Sequence, residues 1–123
     1  MNKHFLYVCV KCNLENNKDG KTSGVVLLEN LDHLLQQEAQ LKNVLSLKPI
    51  SCMNACKRSC SVGFASKGKV SYLFGDLKAE EHEKEILECA SLYVSKCDGI
   101  VKKAERPENL RKNVLARLPF LDE

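Results

Sequence analysis

Residues 61–74 read SVGFASKGKVSYLF: two apolar-rich alternating runs, 61–66 and 69–74, joined at Lys67-Gly68. A short glycine-containing connection between two such runs is the signature of a β-hairpin. Just downstream, Gly75-Asp76 stops the sheet, and Asp76 is placed to cap a helix. Glu80, Glu81 and Glu83 suit a helix N-terminus, where unpaired N–H groups attract carboxylates. That helix is predicted to run to about Lys96, to bury Ile86, Cys89, Ala90, Tyr93 and Cys97, and to end at Asp98-Gly99. Upstream of the hairpin, residues 44–50 form a short apolar run ending near Pro49, a predicted strand. From Val25 to about Asn43, Leu27, Leu31, Leu34, Leu41 and Leu45 recur mostly three, four or seven apart, as on a helix with one buried stripe. Residues 13–24 are rich in Asn, Asp, Gly and Ser and read as a loop. Residues 4–10, HFLYVCV, read as a buried strand.

The order is β-α-β-β-β-α, followed by a basic extension at 100–123 with a short helix expected between Pro107 and Pro119. A parallel βαβ crossover followed by a hairpin and a helix is the thioredoxin-like arrangement. The expected fold is therefore α/β, a small mixed sheet with flanking helices and a C-terminal helical tail. Its 123 residues fit one domain, with no internal repeat or linker. Apolar residues at 44% and charged residues at 28% exclude disordered and collagen-like chains. No apolar run approaches the roughly 18 residues of a membrane span. The run from Phe5 to Val10 also falls short of a signal-peptide core of about 7–15 residues. A net charge of +3 is too mild to imply nucleic acid.

Seven cysteines stand against no tryptophan. The number is odd and no export signal is evident, which points to the reducing cytoplasm, where cysteines are metal ligands or redox groups more often than staples. Five fall into two groups, Cys9/Cys12 and Cys52/Cys56/Cys60, each just past the end of a predicted strand. In a βαβ unit the ends of parallel strands share one edge of the sheet, where sites form. With metal–sulfur bonds of about 2.3 Å, two thiolates on one metal sit roughly 3.7 Å apart, and two or three intervening residues allow that convergence. A CxxC joined to a CxxxCxxxC on facing strand ends therefore marks a metal centre, either zinc or an iron–sulfur cluster.

Two readings compete with it. Cys52, Cys56 and Cys60 are spaced to share one buried helix face as inert thiols, although Lys57, Arg58, Ser51 and Ser59 make the segment polar for a core helix. Cys9-Val10-Lys11-Cys12 has the spacing of a thiol–disulfide oxidoreductase. Such a pair normally opens a helix that lowers its pKa, whereas here the loop 13–24 intervenes, and Ser59-Cys60 stand where a thioredoxin has a cis-proline. Lys11, Lys57 and Arg58 lie within the two groups, and nearby cations raise the potential of an anionic cluster. The plain alternative is that they are solvated loop charges. His4, His33 and His82 are scattered and read as surface residues. Cys89 and Cys97, eight apart, read as core packing.

The segment Cys52-Met-Asn-Ala-Cys56, preceding a hairpin and a helix, resembles the second ligand pair of the thioredoxin-like [2Fe-2S] ferredoxins. Phe5 to Val10 resembles the strand carrying their first ligand. A closer likeness, over almost the whole chain, is to a bacterial family of predicted small metal-binding proteins of unknown function. It rests on Cys9-Val-Lys-Cys12, Cys52-Met-Asn-Ala-Cys56-Lys-Arg-Ser-Cys60, residues 68–77, Asp98-Gly-Ile-Val101, Glu105-Arg-Pro-Glu108, residues 110–112 and Ala116-Arg-Leu-Pro119. The resemblance implies a [2Fe-2S] centre with Cys9, Cys52 and Cys56 as ligands, and it suggests a link to cobalamin biosynthesis. The ferredoxins place another ligand farther along the first loop, and residues 13–51 contain no cysteine. Cys12 or Cys60 must substitute. The expected ligands are Cys9, Cys12, Cys52 and Cys56, with Cys60 as a fifth or exchanging thiolate.

The expected function is one-electron transfer by an iron–sulfur protein, with a redox partner protein and no nucleic acid or membrane. The alternatives are a zinc-stabilised or metal-delivery protein of cofactor synthesis, and an oxidoreductase using Cys9 and Cys12. No catalytic triad, phosphate loop or carboxylate pair argues for an enzyme. The cations of the tail (Lys102, Lys103, Arg106, Arg111, Lys112 and Arg117) suit an acidic redox partner or a phosphate, or else form a solvated helix face packed by Val114, Leu115 and Leu118.

Overall fold

The computed structural model describes residues 3–10, 22–51 and 60–119. A first strand, β1 (His4–Cys9), leads to helix α1 (Ser23–Gln36), a single helical turn α2 (Ala39–Lys42) and strand β2 (Leu45–Ile50). The hairpin follows as β3 (Val62–Ser66) and β4 (Ser71–Phe74), then helix α3 (Glu83–Ser95), a short α4 (Glu108–Arg111) and β5 (Val114–Leu118). The strands form one sheet in the order β2-β1-β3-β4-β5. β1 and β2 are parallel, and the other neighbours are antiparallel. This is the expected thioredoxin-like α/β arrangement. Among the described residues, no helix is long and apolar enough to cross a membrane.

The helix expected to reach Asn43 stops at Gln36 because the crossover must deliver the chain back beside β1. A six-residue strand spans about 20 Å. Fourteen helical residues span about 21 Å, whereas a helix continued to 43 would overshoot the sheet by about 10 Å. Leu27, Leu31 and Leu35 line the buried face of α1, while Leu45 belongs to β2. Leu6, Val8, Val62, Phe64 and Phe74 meet that face together with Ile86, Ala90 and Tyr93 of α3, so both long helices cover the same side of the sheet.

Tyr93 ties this core together. Its hydroxyl donates to Val70 O at 2.6 Å, and its ring lies 5.4 Å from that of Phe64. The Lys69 ammonium donates to Tyr93 O and Val94 O at 3.1 and 2.9 Å, capping the last turn of α3, where the helix dipole is negative. Gly99, at φ +78, lies against that ring: an added Cβ would meet Tyr93 Cε1 at 2.7 Å.

The tail departs from expectation. A helix does form between Pro107 and Pro119, but it is four residues long, and residues 114–118 pair with β4 as an edge strand. Val-Leu-Ala-Arg-Leu has helix-like spacing and good helix formers. The unpaired edge of β4 offers it a hydrogen-bonding partner instead, and such context routinely overrides propensity. Val114 packs on the core, whereas Leu118 is 60% exposed.

His4, His82 and Cys97 also differ from expectation, whereas His33 is exposed and Cys89 buried as expected. His4 and His82 are buried: the His4 ring meets Tyr93 edge-on at 6.0 Å, and His82 Nδ1 accepts Lys78 N–H at 2.9 Å. Asp76 does not cap α3. It adopts φ 58 in a loop that reaches the helix only at Glu83, whose carboxylate accepts from the Glu80 N–H and from Asn30 Nδ2 of α1. Cys97 falls beyond the end of α3 and is exposed, while Cys89 is fully buried. Burial pushes the Cys89 thiol up to about 12. Iodoacetamide at pH 8 is therefore expected to label Cys97 at least about tenfold faster than Cys89 in the native protein, since only an accessible thiolate reacts. Peptide mass mapping checks this, with denaturant equalising the two.

Candidate metal centre

The carboxyl end of β1 carries Cys9 to the edge of the sheet. On the parallel side Cys9 is in register with Ile50, and Val10 N–H donates to Ile50 O at 3.0 Å. The Cys9 thiol lies 3.9 Å from Ser51 O. On the antiparallel side Cys9 N–H donates to Ser61 O at 3.2 Å. Ser51 and Ser61 bracket the second cysteine group, so the chain enters and leaves that group against Cys9.

Side chains alternate across a strand. Leu6 and Val8 face the helices, and Cys9 shares the other face with Phe5 and Tyr7, whose rings stack at 5.9 Å. Cys9 is nevertheless 0% exposed, although it is not part of the core under α1 and α3. Continuing the β1–β3 register by one pair sets Ser61 opposite Cys9, and residues directly opposite on antiparallel strands share a face. Ser61 is also completely buried, and its hydroxyl has no hydrogen-bond partner among the described residues.

The start of α1 is clamped to the same place. Thr22 Oγ1 donates to Val10 O at 2.6 Å and accepts Val25 N–H at 3.1 Å, capping the helix. Val10 and Thr22, the residues flanking segment 11–21, are thereby joined. Gly24 rests on the strand so closely that an added Cβ would lie 2.0 Å from Cys9 O and 2.9 Å from Val10 Cα.

Cys60 has a different setting. Its backbone exchanges two hydrogen bonds with Leu77, at 2.9 and 3.0 Å. It is 2% exposed and packs within the helix-side core. Burial pushes its thiol up to about 11; the Ala79 N–H on the sulfur opposes this, and the nearby Cys9 and Glu83 reinforce it.

Cys9 and Cys60 lie close enough for their charges to interact. Cys12, Cys52 and Cys56, and the cations Lys11, Lys57 and Arg58, lie outside the described residues. Among the described residues, no group of three or more His, Cys, Asp or Glu stands close enough to hold a metal. The donor chemistry suits a thiophilic centre: a buried thiol at a sheet edge, reached by both ends of a segment with two more cysteines, beside a buried hydroxyl unpaired among the described residues. Sequence reasoning passed over Thr22, Gly24 and Ser61. Thr22 and Gly24 carried a legible signal, a helix start next to a glycine, but nothing in the sequence paired Ser61 with Cys9.

These features define a thioredoxin-like α/β protein with a buried cysteine at the sheet edge. The chain belongs to the family described as Protein of unknown function (DUF1636), which it matches over residues 6–120. No curated protein matches it. Among solved structures it is similar to a thioredoxin-like [2Fe-2S] ferredoxin from Aquifex aeolicus. The TM-score is 0.63 at 20% identity, over 94% of this chain and 92% of that one. A cysteine-to-serine variant of that ferredoxin gives 0.62 at 21% identity, over 92% and 98%. The likeness shows the fold.

Gly24→Ala is expected to force α1 off β1 and lower the unfolding free energy by at least about 1–3 kcal/mol, the usual cost of overpacking. Thr22→Val removes the cap and is expected to cost about 0.5–2 kcal/mol. Urea denaturation followed by circular dichroism measures both.

Proposed function

We propose that this protein carries single electrons on a [2Fe-2S] cluster held by Cys9, Cys12, Cys52 and Cys56. The observation that supports this most directly is the position of Cys9: buried on the face away from the helices, with its thiol at Ser51 and its backbone at Ser61. Cys52 follows Ser51 directly in the chain. Cys12 follows two residues after Val10. The fold shared with the [2Fe-2S] ferredoxins supports the same reading.

When bound, the cluster supplies a reversible one-electron couple. The chain's own part is to present sulfur donors, shield Cys9 from water and hold β1 in place through Ile50, Ser61, Thr22 and Gly24. Lys11, Lys57 and Arg58 stand beside these cysteines in sequence, where positive charge favours the reduced state and attracts an acidic redox partner protein. Cys60 is a fifth thiol that can exchange in, but its packing beside Leu77 makes its first role structural.

The test is purification without oxygen, a visible spectrum, and assays of iron, acid-labile sulfide and zinc. The expected outcome is red-brown protein with matched iron and sulfide. Cys9→Ser and Cys12→Ser are each expected to lose or alter the spectrum, while Cys60→Ser keeps it and lowers stability by about 1–3 kcal/mol through a buried hydroxyl. An unchanged spectrum in Cys12→Ser overturns the ligand assignment. Colourless protein with one zinc overturns the electron-carrier reading in favour of metal delivery or cofactor synthesis. Metal-free protein with a reversible Cys9–Cys12 disulfide favours an oxidoreductase.

A further inference from the structure

We infer that the Ser61 hydroxyl donates a hydrogen bond to sulfur at the metal centre and thereby raises its reduction potential. The inference rests on the cluster reading above and assigns a residue that lies outside the cysteine pattern.

Ser61 is 0% exposed and its Oγ has no partner among the described residues. Leaving a buried hydroxyl unpaired costs about 1–3 kcal/mol, and native proteins rarely tolerate this without a reason. The described residues on its face offer the hydroxyl little else. Along its own strand the same face continues with Gly63 and Ala65, which bring no polar side chain. Across the strand pair stands Cys9, joined to Ser61 by its own N–H at 3.2 Å. Directly opposite residues have Cβ atoms about 4.5–5.5 Å apart, so a side-chain oxygen and a side-chain sulfur on such a pair share one small space.

A thiolate or sulfide bound to a metal is an anionic acceptor, and the reduced centre carries more negative charge than the oxidised one. A donor aimed at that sulfur therefore favours reduction. Cys60 makes an instructive contrast. Its sulfur already receives the Ala79 N–H and sits on the helix side of the sheet. The Ser61 hydroxyl lies instead on the side of Cys9.

The experiment compares wild type, Ser61→Ala and Ser61→Thr, each loaded anaerobically and assayed for iron and sulfide before measurement. Optical redox titration is expected to show a lower midpoint potential in Ser61→Ala at unchanged iron and sulfide content, with Ser61→Thr restoring it. In resonance Raman spectra, the shift of the Fe–S stretching bands between water and D2O is expected to shrink in Ser61→Ala. Stripped of metal, Ser61→Ala is expected to be at least as stable as wild type, since it loses an unpaired hydroxyl. A structural serine would instead show loss of stability with no change of potential. A loaded Ser61→Ala protein with the wild-type potential and the wild-type D2O shift overturns this inference and leaves the cluster reading standing. Wild-type protein without iron and sulfide overturns both at the loading step.

Discussion

The carboxyl end of β1 is gripped from three directions. Ile50 accepts a hydrogen bond from one side, Ser61 from the other, and α1 presses Gly24 against the backbone from the helix face. A strand end is ordinarily where a sheet frays. Here it cannot move without breaking ladder bonds on both edges and unseating a helix. The requirement explains residues that look unremarkable one by one. Gly24 is tolerated inside a helix, at roughly 1 kcal/mol relative to alanine, because no Cβ fits between α1 and β1. Thr22 serves twice, as cap for α1 and as hydrogen-bond donor to Val10.

The same strand end sorts the cysteines by environment. Cys9 and Cys60 are both buried and close enough for their charges to interact, yet they belong to different sides of the sheet. Cys60 is integrated with Leu77 and the helix-side core, whereas Cys9 is buried apart from that core, beside the unpaired hydroxyl of Ser61. Cysteine is a good core residue and a good ligand, and its neighbours decide which role it takes. The loop 75–82 contributes to the sorting. It wraps Cys60 through Leu77 and Ala79, and its Glu80 N–H bonds the Glu83 carboxylate that also accepts from Asn30 of α1.

The legible parts of the fold were those with local signals. The hairpin announced itself at Lys67-Gly68, where Gly68 takes φ +79, and the strand of residues 4–10 and the leucine stripe of α1 were plain in their periodicity. The departures concern residues whose state was set by packing or backbone partners that periodicity does not reveal. Residues 114–118 became a strand because β4 had a free edge. His4 and His82 went inside because Tyr93 and the Lys78 backbone were there to meet them. Cys97 came out because α3 ended one residue before Lys96, turning the chain away from the core.

By itself the sequence determined the order β1, α1, β2, β3, β4, α3 and the grouping of the cysteines along the chain, since both are written in local spacing. The tertiary structure alone decided that Cys9 lies between Ser51 and Ser61, that Cys60 faces the core, and that an unpaired hydroxyl lies beside Cys9. Such facts depend on which residues the sheet register sets side by side, and register is fixed by hydrogen bonds between strands that lie tens of residues apart in the chain.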